Sequence, residues 1–263
     1  KAPTAYGCDL MQPVQVFEDC RAGFQSGGAW FFTPSEAKLV DCHFLRCHAG
    51  TVSGGGLSSA NGASVEMIRG SIMGCSGASG GGVWIYGSST LRLLDVTIAE
   101  CRATADDGDG GGIFMSADAS VLTMSGGAIR DCEAPGSGGG LWIGATAQAH
   151  LHGVAVQRCK AQDGGGMFLL GVVSLVDVGI EDCYATGARA AMYSRALLRA
   201  ERVRVARASG EFPVELQSTS TWTDSTFVDC FNGPAVESGA HSFTRLSIRG
   251  ATQYGLTAGV GTG

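Results

Sequence analysis

Eight of the ten cysteines stand three residues after a bulky apolar residue, and no other feature of the chain constrains its fold so tightly. Cys20, Cys47, Cys75, Cys101, Cys132, Cys159, Cys183 and Cys230 follow Phe17, Phe44, Ile72, Ile98, Ile129, Val156, Ile180 and Phe227. Val205 with Ala208 and Ile248 with Ala251 keep the pattern with alanine in the cysteine slot. Successive intervals lie between 21 and 31 residues. Self-similarity at such a period is the mark of a solenoid, in which each repeat buries its apolar face only by stacking on its neighbours.

Two further markers lie between the cysteines. GGGLSS, GGGVWIY, GGGIFMS, GGGLWIG and GGGMFLL begin at Gly54, Gly80, Gly110, Gly138 and Gly164, with weaker copies in SGGAWFF from Ser26 and RAAMYS from Arg189. Before each cysteine, apolar residues alternate in two pairs, as in Leu91, Leu93, Val96 and Ile98 or Val173, Leu175, Val178 and Ile180. Period-two alternation means strand. The phase slips by one residue at Asp41, Arg69, Asp95, Asp177, Arg202, Asp224 or Arg245, which places a tight corner there. Each repeat thus reads as three short strands, and stacking them in register satisfies their hydrogen bonds. The predicted fold is all-β: a right-handed parallel β-helix of about ten coils.

Composition agrees with a single such domain. The 42 glycines come with only six prolines and no Gly-X-Y period, which excludes collagen, and the 44% apolar content argues against disorder. With 16% charged residues and a net charge of −6, nothing supplies the basic stripe that nucleic acid requires. The best apolar run, from Met167 to Val176, is far shorter than the roughly 20 residues that span a bilayer. The expected organisation is a lead-in segment and partial cap at 1–10, coils at 11–255, and the start of a further coil at 256–263. No signal peptide opens the chain, so it reads as a piece of a longer polypeptide.

The pairing of GGG plus an aliphatic residue with Phe/Ile-x-x-Cys resembles the repeats of chlamydial polymorphic membrane proteins and related β-helix surface proteins. Those families carry a Gly-Gly-Ala-aliphatic motif and a Phe-x-x-Asn motif. This chain puts cysteine where asparagine is usual, as in FEDC, FLRC and FVDC. The resemblance, over about residues 10–255, implies a secreted or cell-surface location and an adhesive or scaffolding role.

Candidate sites follow from the register. The eight repeat cysteines form a structural ladder, read as a buried thiol stack or as pairwise disulfides between adjacent coils. Cys8 and Cys42 lie off the ladder. No metal site is expected, because no histidine accompanies the cysteines at ligand spacing. After the glycines, one residue points inward and its successor outward. That outward column reads Trp30, Ser58, Trp84, Phe114, Trp142, Phe168, Tyr193, Glu215 and Glu237. The aromatic stripe of Trp30, Trp84, Phe114, Trp142, Phe168 and Tyr193 exceeds the apolar patch a monomer ordinarily exposes. It is expected to bind a protein or a polysaccharide, or to lie under a segment outside this chain.

Asp106, Asp107 and Asp109, with Asp163, read as a solvated loop, with calcium as the alternative. His43, His48, His150, His152 and His241 match no catalytic spacing, and no catalytic residue or cofactor is expected. A column of charges, Asp19, Arg46, Glu100, Asp131, Arg158, Asp182, Arg207 and Asp229, reads as surface solubility. The favoured function is a non-enzymatic extracellular module, structural or adhesive, that stacks end to end or continues in a longer chain. The alternative is a polysaccharide lyase or glycoside hydrolase of pectin-lyase-like fold. It would need carboxylates and a base beside the stripe, for which only Glu215, Glu237 and Arg195 come near.

Overall fold

Each coil turns its glycine-following strand, its pre-corner strand and its pre-cysteine strand onto three faces, and parallel neighbours stack on every face. The computed structural model describes residues 14–23, 26–51, 54–116, 118–187 and 189–251, together with the backbone of a strand at Thr257–Ala258. The lead-in segment 1–10, with Cys8, and residues 259–263 lie outside the described residues. Ten strands stack on the glycine face, from Ala29–Phe32 to Thr257–Ala258, and a 17-stranded sheet wraps the other two. The first and last turns are incomplete among the described residues, so the full turns are slightly fewer than ten. No described helix is long and apolar enough to cross a membrane.

Register is residue to residue. Val83 pairs with Leu57 below and Ile113 above, and Ile98 with Ile72 and Ile129. The inward residues Val83, Ile85, Leu91, Leu93, Val96 and Ile98 are all fully buried in one continuous core. The structure adds a short fourth strand after the cysteine. Arg21–Ala22, His48–Ala49, Ser76–Gly77 and Arg102–Ala103 form one ribbon, and Lys160–Ala161 and Tyr184–Ala185 another. Two residues are too few to show alternation. The small residue two places after each of the first seven ladder cysteines (Ala22, Ala49, Gly77, Ala103, Ala134, Ala161, Ala185) is its only trace in the sequence.

The glycine and cysteine motifs are two halves of one packing contact. A Cβ on Gly82 would meet Ile98 Cγ2 at 3.0 Å and Cys101 Sγ at 3.1 Å. At Gly112 the same atoms of Ile129 and Cys132 would lie at 2.8 and 3.3 Å, and at Gly166 those of Ile180 and Cys183 at 3.0 and 3.2 Å. The third glycine of each motif therefore makes room for the apolar residue and the cysteine of its own coil. Where that position becomes Ala191, the two partners shrink to Val205 and Ala208. The ladder of the next coil also slips there, between Arg189 and Met192.

Of the nine described cysteines, all carry free thiols and eight are buried, whereas Cys20, on the first described turn, is half-buried. From Cys47 onward each ladder sulfur donates to a carbonyl of the coil below, for example Cys47 Sγ to Phe17 O at 3.3 Å and Cys101 Sγ to Ile72 O at 3.5 Å. Burial pushes the Cys101 and Cys132 thiols up. From Cys47 onward the ladder is a column of buried, small, weakly polar groups with satisfied S–H donors.

Every predicted corner residue has a left-handed backbone: φ is 52° at Asp41, 49° at Arg69, 52° at Asp95 and 54° at Asp177. The charged column flanking the cysteines is left-handed too, with 55° at Asp131 and 49° at Arg158. Such a conformation costs a non-glycine residue about 1–2 kcal/mol. It also fixes where the side chains point, and arginine forks meet carboxylates one coil away. Arg69 Nε and Nη2 reach Asp41 at 3.0 and 2.9 Å, Arg158 reaches Asp131 at 2.7 and 2.8 Å, and Arg207 reaches both oxygens of Asp182 at 2.7 Å. Asp19–Arg46, Asp177–Arg202 and Asp224–Arg245 repeat the arrangement. The flanking column is therefore more than solubilising surface: six of its eight charges, in Asp19–Arg46, Asp131–Arg158 and Asp182–Arg207, are paired between coils.

Candidate functional site

The glycine face carries the aromatic column because each strand there begins with an inward aliphatic residue. Pairing Trp84 with Ser58 and Phe114, Trp142 with Phe114 and Phe168, and Phe168 with Tyr193 places the rings on successive rungs. Trp30 pairs with Ser58 from the other side. Trp30, Trp84, Phe114, Trp142 and Phe168 are half-buried and point out of the core, while Tyr193 is only 6% exposed.

The rings differ along the face. From Phe114 onward they form one stack: Phe114 to Trp142 at 4.7 Å between centroids and 12° between planes, Trp142 to Phe168 at 6.4 Å and 2°, Phe168 to Tyr193 at 4.6 Å and 32°. Each such pair is worth about 0.5–1.5 kcal/mol beyond its burial. Ring faces engaged with one another leave edges for a ligand. Toward the N-terminus the rings instead pair along their own strands, Trp30 with Phe32 at 4.8 Å and Trp84 with Tyr86 at 4.2 Å. Phe32 and Tyr86 belong to the face although the sequence reading left them out. The i, i+2 aromatic pairs in AWFF and VWIY were their signal.

The far end of the stack is closed by charge. The Arg189 guanidinium lies 4.8 Å from the Tyr193 ring centroid, with Nε at 2.6 Å from Glu215 Oε2 and Nη1 at 3.2 Å from Asp163. Glu215 holds Arg189 well above its ordinary pKa. Gln217 Nε2 donates to Glu215 and to Glu237, both at 2.6 Å, and Gln217 Oε1 accepts from Tyr193 at 2.6 Å. Burial pushes the Tyr193 hydroxyl up.

Three expectations change here. Glu237 does not continue the column, because Ala235 pairs with Glu215 and Val236 with Leu216, leaving Glu237 two residues further along. Gln217 joins the two glutamates. Glu215, expected outward beside Glu237, is 2% exposed. The cation is Arg189, which occupies a glycine slot of the repeat, rather than Arg195. An arginine in a slot otherwise held by glycine was the missed sign.

The acidic loop divides its work. Asp109 Oδ1 accepts the Ser137 N–H at 2.6 Å, and burial raises its pKa, while Asp163 is committed to Arg189. Among the described residues no three of His, Cys, Asp and Glu converge as metal ligands. His43 and His48 hydrogen-bond Ser71 and Ser76 at 2.8 Å, His241 bonds Ser220 at 2.8 Å, and His152 lies 3.5 Å from Asp177. These are contacts between neighbouring coils.

Comparison with known proteins bears on the fold. The family model described as the right handed beta helix region matches residues 12–156, more than half of the chain. No curated protein and no solved structure matches it.

Proposed function

The chain belongs to the right-handed β-helix family, and from that premise we propose that it is a non-enzymatic binding rod of the cell surface or extracellular space. Its aromatic face holds a partner, either a polysaccharide or another protein. The observation that carries this reading is the in-register column of half-buried aromatic rings on one flat sheet. Five half-buried outward rings over six coils, from Trp30 to Phe168, are far more apolar surface than folding requires of an outer face. A rigid parallel sheet keeps them at fixed spacing, so little ordering entropy is lost on binding.

The cluster at the end of the stack bears on the enzymatic alternative. Carboxylates and a cation do stand beside the stripe. A glycosidase acid or nucleophile, however, needs a free oxygen at the scissile bond. Glu215 is almost fully buried, and both its oxygens are taken by Arg189, one also by Gln217. That favours a structural lock on the end of the stack.

The test is a panel of soluble polysaccharides and surface proteins, assayed against the intact protein and a Trp84→Ala, Trp142→Ala double variant. Loss of a wild-type interaction in a variant that keeps its far-ultraviolet spectrum is expected. Unchanged binding throughout would refute the reading.

A further inference from the structure

The aromatic face is interrupted at one rung. Ser58 stands between Trp30 and Trp84, and on the same strand Ala60 stands between Phe32 and Tyr86. Two walls, each of two aromatic rings, thus flank a floor of small residues. Coils lie about 4.8 Å apart, so the strands that carry the two walls are about 9.6 Å from each other. With the wall rings upright over their strands, one ring inserted midway would sit about 4.8 Å from each, inside the 4.5–7 Å range of favourable ring contacts. Phe114 and Trp142 on the same face already adopt 4.7 Å.

We propose that this missing rung is a subsite for an equatorially substituted pyranose within a β-1,4-linked polysaccharide. The inference rests on the reading of the glycine face as a binding face and names its ligand. Three features select that chemistry. The Ser58 hydroxyl is fully buried and has no hydrogen-bond partner, whereas its neighbour Ser59 donates to Ala63 O. An unsatisfied buried hydroxyl costs roughly 1–3 kcal/mol, which a hydroxyl on the edge of a sugar ring would relieve. Next, each wall extends two residues along its strand, about 6.7 Å. A single inserted side chain would fill only part of that length; a chain of linked rings runs through it. Last, both walls are aromatic, so the inserted ring must be apolar on both faces, and a pyranose with only equatorial substituents shows C–H on each.

In the free protein the rings close over the floor, since Ser58 and Ala60 are 0% exposed. Phe32, 41% exposed, is the open lip. The ring enters as the tryptophans swing about χ1, a nanosecond-scale motion for side chains at a surface.

Cellohexaose is the probe, with β-1,4-galactohexaose, whose O4 substituents are axial, as its comparison. Calorimetry and tryptophan fluorescence on the intact protein give the readout. Wild type should bind cellohexaose at least tenfold more tightly than the galactan. Ser58→Phe puts a ring on the missing rung, so it should weaken cellohexaose at least tenfold. Ser58→Ala, which removes the orphan hydroxyl without filling the slot, should weaken binding several-fold at undiminished stability. Arg92→Gln, on the 17-stranded sheet away from the glycine face, should leave cellohexaose binding intact. No cellohexaose binding at millimolar concentration, equal affinity for the two sugars, or wild-type affinity in Ser58→Phe would each overturn the subsite. If Ser58→Phe retains a partner that the Trp84→Ala, Trp142→Ala variant loses, the subsite fails while the binding face stands. If neither loses it, both fail.

Discussion

Substituting Gly82 by alanine tests the link between the two sequence motifs. The new methyl group would lie 2.8 Å from Gly112 O, 3.0 Å from Ile98 Cγ2 and 3.1 Å from Cys101 Sγ, all tighter than ordinary contact. Gly82 has an ordinary backbone, so the penalty is steric rather than conformational. Overpacking of this kind costs about 1–3 kcal/mol. Cys101→Ala alone opens a void and also destabilises. Combined, the methyl group occupies part of the space the sulfur leaves, and the coil with Ala191 and Ala208 carries that same pair of residues. The double variant should therefore be more stable than the sum of the single effects, with a coupling of about 0.5–3 kcal/mol, the range for residues in contact. The Gly112 carbonyl contact is untouched, so recovery should be incomplete. Urea denaturation followed by circular dichroism supplies the midpoints, and hydrogen exchange at Ile98 and Ile113 shows whether the loss is local to the coil, as a quasi-one-dimensional stack requires. A cost-free Gly82→Ala, or strictly additive single effects, would refute the shared contact.

Three other outcomes are expected. Without reductant, maleimide labelling of the native protein should be fastest at Cys20 and slow at Cys75 through Cys183, and denaturant should expose the rest; cysteines that stay unlabelled in denaturant until reduced would show disulfides instead. Hydrogen exchange should be slowest across residues 80–185 and fastest in the strands His241–Thr244 and Ser247–Arg249, which contain no buried residue; uniform protection would contradict this. The Arg158 fork holds Asp131 below its ordinary pKa, as Arg207 does Asp182, so these carboxylates contribute stability above about pH 4 that is lost as pH falls through their folded values. Midpoints should be flat from pH 5 to 8 and fall below about 4, and Arg158→Gln should lessen that fall; an unchanged acid limb would rule the pair out.

The corner ladder shows why sequence spacing carried the reading so far. A parallel stack in register turns every residue type into a column, so Asp41 and Arg69, 28 positions apart, become neighbours by counting alone. The aromatic column was legible by the same arithmetic. Counting failed where a coil changes length or slips. The irregular pairing between Arg189 and Met192, and the short coil after it, moved Glu237 off the column and turned Glu215 into a buried partner of Arg189.

Repeat period, strand alternation and the placement of charged left-handed corners are thus properties of the sequence itself, because each depends on local periodicity that stacking only multiplies. The tertiary structure decided what lies between the columns. It set which rings face one another and which pair along a strand, that the third glycine exists for the cysteine of its own coil, and that the Ser58 hydroxyl is buried without a partner. Those relations depend on side-chain direction and on distances of a few tenths of an ångström, and a linear pattern does not carry either.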